Sequence, residues 1–392
     1  MQYRLLDLVC CPSCKGDVGV EVFETRRRAP LACIEGKRCR DHCAYVEAGL
    51  GVEPDCLTCS NIEVEEGTIQ CGCGKVYPII GGVPRFLPED LQAELIDRYP
   101  QFFSSHGDKI QQQFPDVQRD KVSKLKAQTI SAFGYEWTQF ADYDAHNFLE
   151  LIYPVQPEYF RGKLGLDCGC GAGRHTKQAV SYGAEIVAMD ISWSVDAAYE
   201  KNLPTAEAMT VQCDVFNLPL KQQQFDFIYS LGVLHHTTNP PKSFDCLVPL
   251  LKAGGGIIVW IYSNKRKFLL FALKVARMIT LKMSSRMIKW TSFIAASIDY
   301  GALIWPYKML RKTPGLGKVL EKIAPPRVKG YAKHDFLVSY TDWFDRLSYP
   351  CVNYYSADEV RGWYERNGLT KINISPTGPF AWRGFGVKPQ GE

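Results

Sequence analysis

The run Lys163-Leu164-Gly165-Leu166-Asp167-Cys168-Gly169-Cys170-Gly171-Ala172-Gly173-Arg174-His175-Thr176 constrains this chain more than any other stretch. Apolar residues through Leu166 predict a short buried strand, the glycines at 169, 171 and 173 a turn, and the residues from about Thr176 a helix. Glycine has no Cβ and tolerates positive φ, so backbone there can approach a ligand closely. The following helix N-terminus offers unpaired N–H groups to a polar ligand. Strand, glycine turn and helix make one βα unit, and its repetition predicts an α/β fold with a doubly wound, mostly parallel sheet. Three readings of the turn stand open. It can be a tight connection with no ligand at all. It can hold a dinucleotide, but that fingerprint is G-x-G-x-x-G, and Arg174 occupies the place of the third glycine. In the third reading, Asp167 decides: a pyrophosphate prefers no acid there, whereas a ligand with a positive end is suited by one.

Further motifs follow in order. Ala184 to Asp190 reads as a second strand ending in an acid about twenty residues past the turn, a place suited to ribose hydroxyls. Val211 to Asp214 reads as a third strand and Phe225 to Ser230 as a fourth. Then come Leu231-Gly232-Val233-Leu234-His235-His236, a proline-rich turn, a helix to Leu251, and a glycine-led fifth strand from Gly254 to Ile261. Together these resemble the motifs of the class I S-adenosylmethionine-dependent methyltransferases, over roughly Thr129 to Lys388 with one insertion. The resemblance implies a seven-stranded Rossmann-like sheet. It implies that Asp167, Gly169, Gly171 and Gly173 hold the methionine end of the cofactor, Asp190 with Ile191 the ribose, and Asp214 with Val215 the adenine, with Ser230 beside them. His235, just past the fourth strand, either takes a proton near neutral pH or only lines the pocket.

With 392 residues and 46% hydrophobic content, the chain is long enough for more than one unit and for real cores. It holds fifteen cysteines. Met1 to Asp7 lacks the apolar core of a secretory signal, so a cytoplasmic, reducing home is expected, where cysteine clusters read as metal sites before disulfides. Cys11-Pro12-Ser13-Cys14 and Cys71-Gly72-Cys73 are each spaced to bring two thiolates onto one tetrahedral ion, and four sulfurs favour zinc. Cys10 is an alternative to Cys11 as ligand. With Leu5 to Cys14, the run Gly74 to Leu87 resembles the small zinc ribbon that elsewhere is a separate activating subunit of tRNA and protein methyltransferases. That implies a structural or docking role, here fused in cis. A long insert between the pairs carries Cys33, Cys39, His42, Cys43, Cys56 and Cys59. Cys39 and Cys43 with Cys56 and Cys59 have the spacing of a second zinc site, or are reduced thiols in a loop. Cys168, Cys170 and Cys213 read as small buried side chains.

The expected division is a zinc ribbon at 1–90, a connector at 91–128, the cofactor-binding core at 129–263, a basic insertion at 264–334 and the rest of the core at 335–392. Ile130 to Phe140 is rich in aromatic residues and resembles segments that cover the cofactor as a lid; the rings can equally pack on the core. Between Asn264 and His334 sixteen Lys or Arg face two acids, a local +14 that leaves the remainder at −10 within a whole-chain +4. At 100° per residue, Lys267 to Lys289 reads as an amphipathic helix with Leu269, Leu273, Ala276, Ile279, Met283 and Met287 on one face and six basic residues on the other. Such a helix can form a lid over the substrate, rest on an anionic membrane as a peripheral contact, or follow a phosphate backbone. Thr291 to Trp305 predicts a buried helix, and no apolar run is long enough to span a bilayer. Ser356 to Glu359 reads as a capping box for a helix ending at Gly368, followed by strands at 371–375 and 384–388.

The implied activity is methyl transfer from S-adenosylmethionine, for which a protein supplies proximity, orientation and, for an oxygen or nitrogen nucleophile, a base. Sugars, lipid precursors, other small molecules and RNA all remain as acceptors. A nucleotide-dependent dehydrogenase is disfavoured by Arg174, and a non-catalytic adaptor binding RNA or membrane is the remaining class.

Overall fold

The computed structural model describes residues 1–28, 45, 56–110, 121–139, 147–378 and 380–390. Cys33, Cys39, His42 and Cys43 lie outside the described residues, as does the side chain of Cys56, so the second cysteine cluster falls outside them as a set. Cys59 is buried.

An N-terminal unit contributes β1 (Val18–Arg27), β2 (Ile62–Cys71), β3 (Val76–Ile80) and β4 (Val83–Phe86). The core contributes β5 (Leu164–Cys168), β6 (Glu185–Asp190), β7 (Ala208–Cys213), β8 (Phe225–Leu231), β9 (Leu251–Tyr262), β10 (Thr370–Thr377) and β11 (Ala381–Val387). Among them β5 and β7 are buried at every residue, so neither alternates between a buried and an exposed face. The eleven strands form one sheet in the order β1-β2-β3-β4-β7-β6-β5-β8-β9-β11-β10. Its core portion is the expected seven-stranded, mostly parallel sheet: β5 to β9 run parallel, while β11 is antiparallel to both β9 and β10. Strand order reverses beside β5, whose neighbours are β6 and β8, and such a switch point opens a crevice at the carboxyl ends of the strands.

The N-terminal unit is not a bead on a linker. Its β4 pairs in parallel with β7, Arg85 opposite Gln212 and Phe86 opposite Cys213. Arg85, 1% exposed, donates to the Gln212 side chain at 3.1 Å and pairs with Asp196 at 2.6 Å. Gln2 donates to the Ala208 carbonyl at 2.9 Å, and Arg4 pairs with Glu185 at 3.1 Å. One hydrophobic cluster runs from Tyr3, Leu5, Val64 and Ile69 through to Leu166, Val187 and Val211.

Between 91 and 128 the described residues are helical, in Glu89–Arg98 and Pro100–Ile110, and the next helix, Lys121–Gln139, crosses the boundary expected at 128/129. The helix expected over 267–289 is two, Lys267–Thr280 and Ser285–Asp299, because Ser284 caps the second by accepting from the Met287 N–H at 3.3 Å. Trp305–Leu310, Leu316–Ile323 and Pro326–Tyr331 complete the insertion. The burial expected for Thr291 to Trp305 holds on one side only. Ser292, Ala296 and Asp299 are buried, but Phe293, Ile294, Ile298, Leu303 and Trp305 are exposed. Asp299 is satisfied by Arg327 and by the Trp343 indole at 3.1 Å. No helix among the described residues is long and apolar enough to cross a membrane. The capping box forms as read: Ser356 and Glu359 exchange bonds with each other's backbone, and the helix runs to Arg366.

Candidate active site

The turn after β5 needs its glycines. Gly169, Gly171 and Gly173 have φ of 86°, 53° and 77°, the left-handed region that L side chains avoid. A methyl at Gly169 would overlap Val233, and one at Gly171 would press on the Trp137 ring at 3.1 Å. The turn therefore lies under an aromatic roof. Its helix, Arg174–Ser181, starts slightly earlier than the sequence suggests.

Around this turn lies a cleft with about 1000 Å³ of empty space. Six of the predicted cofactor residues line it: Gly169, Gly171, Asp190, Ile191, Asp214 and Val215. Asp190 ends β6 and accepts from the Gly171 N–H at 2.9 Å and the Ser192 N–H at 2.8 Å, so the second strand's acid is braced against the first turn. Burial pushes its carboxyl upward. Asp214 ends β7 and takes the Lys126 ammonium at 2.6 Å. The other four predicted residues stand behind the wall. Asp167 is 2% exposed and accepts from the Thr176 hydroxyl at 2.6 Å, pinning the start of the helix; desolvation pushes its carboxyl up to about 7. Ser230 donates to the Cys168 carbonyl at 2.8 Å, and Gly173 packs against Asn202 and Ala198. His235 is fully buried against Tyr262, ring centroids 4.0 Å apart, and neither ring nitrogen has a hydrogen-bond partner among the described residues.

The histidine on the cleft wall is His236. Its Nδ1 lies 2.9 Å from the Cys351 carbonyl and its Nε2 3.6 Å from Asp345. Burial pushes its pKa down to about 3, so the ring is neutral, and a protonated Nδ1 donating to Cys351 leaves Nε2 as an acceptor. His235, the histidine chosen from the sequence, is the wrong neighbour for this wall, because the short turn at Leu234–His236 sets which ring faces the cleft. Lys126 and Thr129 were also missed, because Lys121–Gln139 carries no clear period. Within the aromatic segment Phe133 and Trp137 line the cleft, while Tyr135 packs on Phe344.

A second, larger cavity, with about 1790 Å³ of empty space, adjoins the first. Phe133, Trp137, Arg174, His175, Leu231 and Gly232 line both. The far wall comes from the insertion and the helix Phe336–Ser348, with Leu269, Leu273, Arg277, Arg327, Tyr331, Asp342, Asp345 and Arg346 among its residues. Asp345 accepts from the Tyr262 hydroxyl, and Arg346 pairs with Asp342. Glu136 is 2% exposed, and desolvation raises its carboxyl well above the usual range. Among the buried polar atoms lining this cavity, Trp260 Nε1, His175 Nε2 and Thr377 Oγ1 are without a hydrogen-bond partner among the described residues. Buried polar atoms are nearly always paired, so these mark places for a ligand or water.

Outside the lining of both cavities, the Sγ atoms of Cys11, Cys14, Cys71 and Cys73 all lie within 4.8 Å of one another. Cys11 and Cys73 are 3.7 Å apart, Cys14 and Cys71 3.4 Å. With Zn–S near 2.3 Å, a tetrahedron of sulfurs has edges of about 3.8 Å, so these four thiols fit such an ion. Cys10 is buried outside the cluster, its N–H bonded to the Pro219 carbonyl at 3.0 Å.

A doubly wound sheet with a glycine turn and two strand-end acids at its switch point defines a nucleoside-binding α/β domain. Residues 166–259 match the methyltransferase domain family and residues 2–82 the Trm112p-like protein family. The chain thus carries an S-adenosylmethionine-dependent methyltransferase domain behind a Trm112p-like domain with a four-cysteine cluster. Over 103 residues, 25% of this chain, it is 33% identical to the tRNA U34 carboxymethyltransferase of Pseudomonas aeruginosa. It spans only 32% of that relative's length. Among solved structures, a complex of the Haloferax volcanii Trm112 methyltransferase activator with a putative methyltransferase is similar at 13% identity, over 68% of this chain and 99% of that one, with a TM-score of 0.39. Human N-acetylserotonin methyltransferase is similar at 13% identity, over 77% and 70%, with a TM-score of 0.40.

Proposed function

We propose that this protein transfers a methyl group from S-adenosylmethionine, bound in the cleft at the glycine turn, to a polar acceptor held in the adjoining cavity. The observation that carries this reading is the shared wall: six residues face both spaces, so a donor in one and an acceptor in the other meet there. When bound, the cofactor supplies an activated methyl for in-line transfer, and the chain's task is placement. Asp190 takes the ribose hydroxyls, Asp214 with Lys126 the adenine edge, and the N–H groups of the turn the methionine end. Asp167 acts behind them, holding Thr176 and with it the turn. Phe133 and Trp137 exclude water from the junction.

Trp260, Tyr262, Tyr331 and Tyr354 interleave with Asp342, Asp345, Arg277 and Arg346 around the second cavity. Rings with planar hydrogen-bonding groups suit an acceptor with several hydroxyls, which favours the sugar class among the acceptors left open. Where the acceptor must lose a proton, Nε2 of His236 is the basic atom on the cleft wall; with a pKa of about 3 it is a weak base, and Asp345, 3.6 Å from that same nitrogen, stabilises the charge the ring gains. His235 then shapes the wall. Zinc in the four-cysteine cluster is structural in this reading, since full sulfur ligation leaves no open position.

Calorimetric titration with S-adenosylmethionine tests the proposal, followed by a screen of acceptors for S-adenosylhomocysteine release. Micromolar binding that weakens at least tenfold in Asp190→Ala is expected. Absence of binding to the intact chain would leave the non-catalytic adaptor reading.

A further inference from the structure

Among the described residues, seventeen of the twenty exposed large hydrophobics lie between Phe271 and Ile323. They form stripes on successive helices. On Lys267–Thr280 the inner face, Leu269, Leu270, Leu273 and Arg277, lines the acceptor cavity, while Phe271, Val275, Met278 and Ile279 stand exposed on the other side. On Ser285–Asp299, Ser292, Ala296 and Asp299 face inward, and Met287, Trp290, Ile294 and Ile298 face out at spacings of three to four. Leu316, Val319 and Ile323 repeat the stripe on Leu316–Ile323. This inverts the usual pattern, in which a surface helix turns its apolar side inward.

Charge says what covers this face. Lys267, Lys274, Lys282, Arg286, Arg311, Lys312, Lys318 and Lys322 are all exposed among the stripes. Of the insertion's two acids, Asp299 is buried against Arg327, which leaves Glu321 as the one exposed. A second copy docking through this face would set +14 against +14. An RNA backbone would satisfy the cations but leave Met, Ile, Leu and Val in water. An anionic bilayer answers both, with phosphates for the cations, acyl chains for the aliphatics, and a headgroup boundary for the exposed rings of Trp290 and Trp305. We propose that the outer face of the insertion, Phe271 to Ile323, docks on an anionic membrane surface without spanning it. Because Lys267–Thr280 is also a wall of the second cavity, docking brings that cavity to the bilayer.

The test is cosedimentation of the full chain with vesicles of phosphatidylcholine alone and of phosphatidylcholine with an equal part of phosphatidylglycerol. Two variants accompany it. One is Trp290→Ser with Ile294→Ser and Ile298→Ser; the other is Lys274→Glu with Lys282→Glu and Arg286→Glu. All six side chains lie outside both cavities, and unchanged thermal melting confirms that each variant folds. The unaltered chain should sediment with the anionic vesicles and stay in solution with the neutral ones. The first variant should lose at least tenfold in binding; in the second, each lost cation should weaken it about fivefold. A chain that ignores anionic vesicles overturns the proposal. So does one that instead binds an RNA oligonucleotide, or that elutes as a dimer which the first variant makes monomeric. Cofactor titration reads the methyl-transfer proposal separately, so the two can fail independently.

Discussion

At the scale of single residues, the lining of the cleft at the glycine turn was legible because its geometry is written in backbone. Positive φ at Gly169, Gly171 and Gly173 leaves glycine as the fitting residue, and acids at strand ends announce themselves by position. Gly169→Ala should therefore cost about 1–2 kcal/mol for the left-handed backbone and about as much again for the overlap with Val233. Chemical denaturation measures the sum. The acceptor side was not legible, since His236, Asp345 and Arg277 come from three distant segments and their meeting depends on tertiary packing. Asp167 gives a pH prediction. Its pKa is raised from 3.8 to about 7, so the folded state holds a proton that the unfolded chain has released. The stabilisation is full below about pH 4 and is lost as pH rises through about 7. Melting temperature of the cofactor-free chain should fall across that window, and Asp167→Asn should flatten this part of the slope; an identical slope in the variant would remove Asp167 as its source.

At the scale of elements, periodicity succeeded wherever one face was buried and failed where both were in use. The capping box of Ala357–Arg366 was readable because Ser356 and Glu359 stand three apart before an apolar run. Ser356→Ala should lower stability by about 1 kcal/mol, visible as a reduced denaturation midpoint with unchanged slope. In the insertion the hydrophobic period gave a single long helix and a buried successor. Ser284 breaks the first, and an exposed apolar stripe contradicts the second. Sequence counts apolar residues without saying which side meets the protein. On Ser285–Asp299 it is the small and polar side that packs, because Ser292 and Ala296 permit close approach to Phe336–Ser348 and Asp299 finds Arg327.

At the scale of the whole molecule, the union of the N-terminal unit with the core sheet was not readable. Nothing in the cysteine spacing says that β4 will continue the catalytic sheet, because strand pairing across 126 residues leaves no local trace. Yet that pairing makes the four-cysteine cluster a part of the active-site scaffold. Cys71 ends β2, β2 pairs with β3, β3 with β4, and β4 lies on β7, whose end carries Asp214 into the cleft. Zinc filling this cluster, as proposed, would contribute on the order of 10 kcal/mol to the fold around it, so its loss should not stay local. Cys71→Ser should lower the zinc content by one ion per chain, shift a single cooperative melting transition downward, and weaken S-adenosylmethionine binding although the mutated thiol touches no part of the cleft. Asp190→Ala is the control, losing the cofactor and keeping the metal. If the metal-depleted chain instead shows a small early transition and an unmoved main one, with cofactor affinity intact, the ribbon is an appendage and β4 does not share the fate of β7.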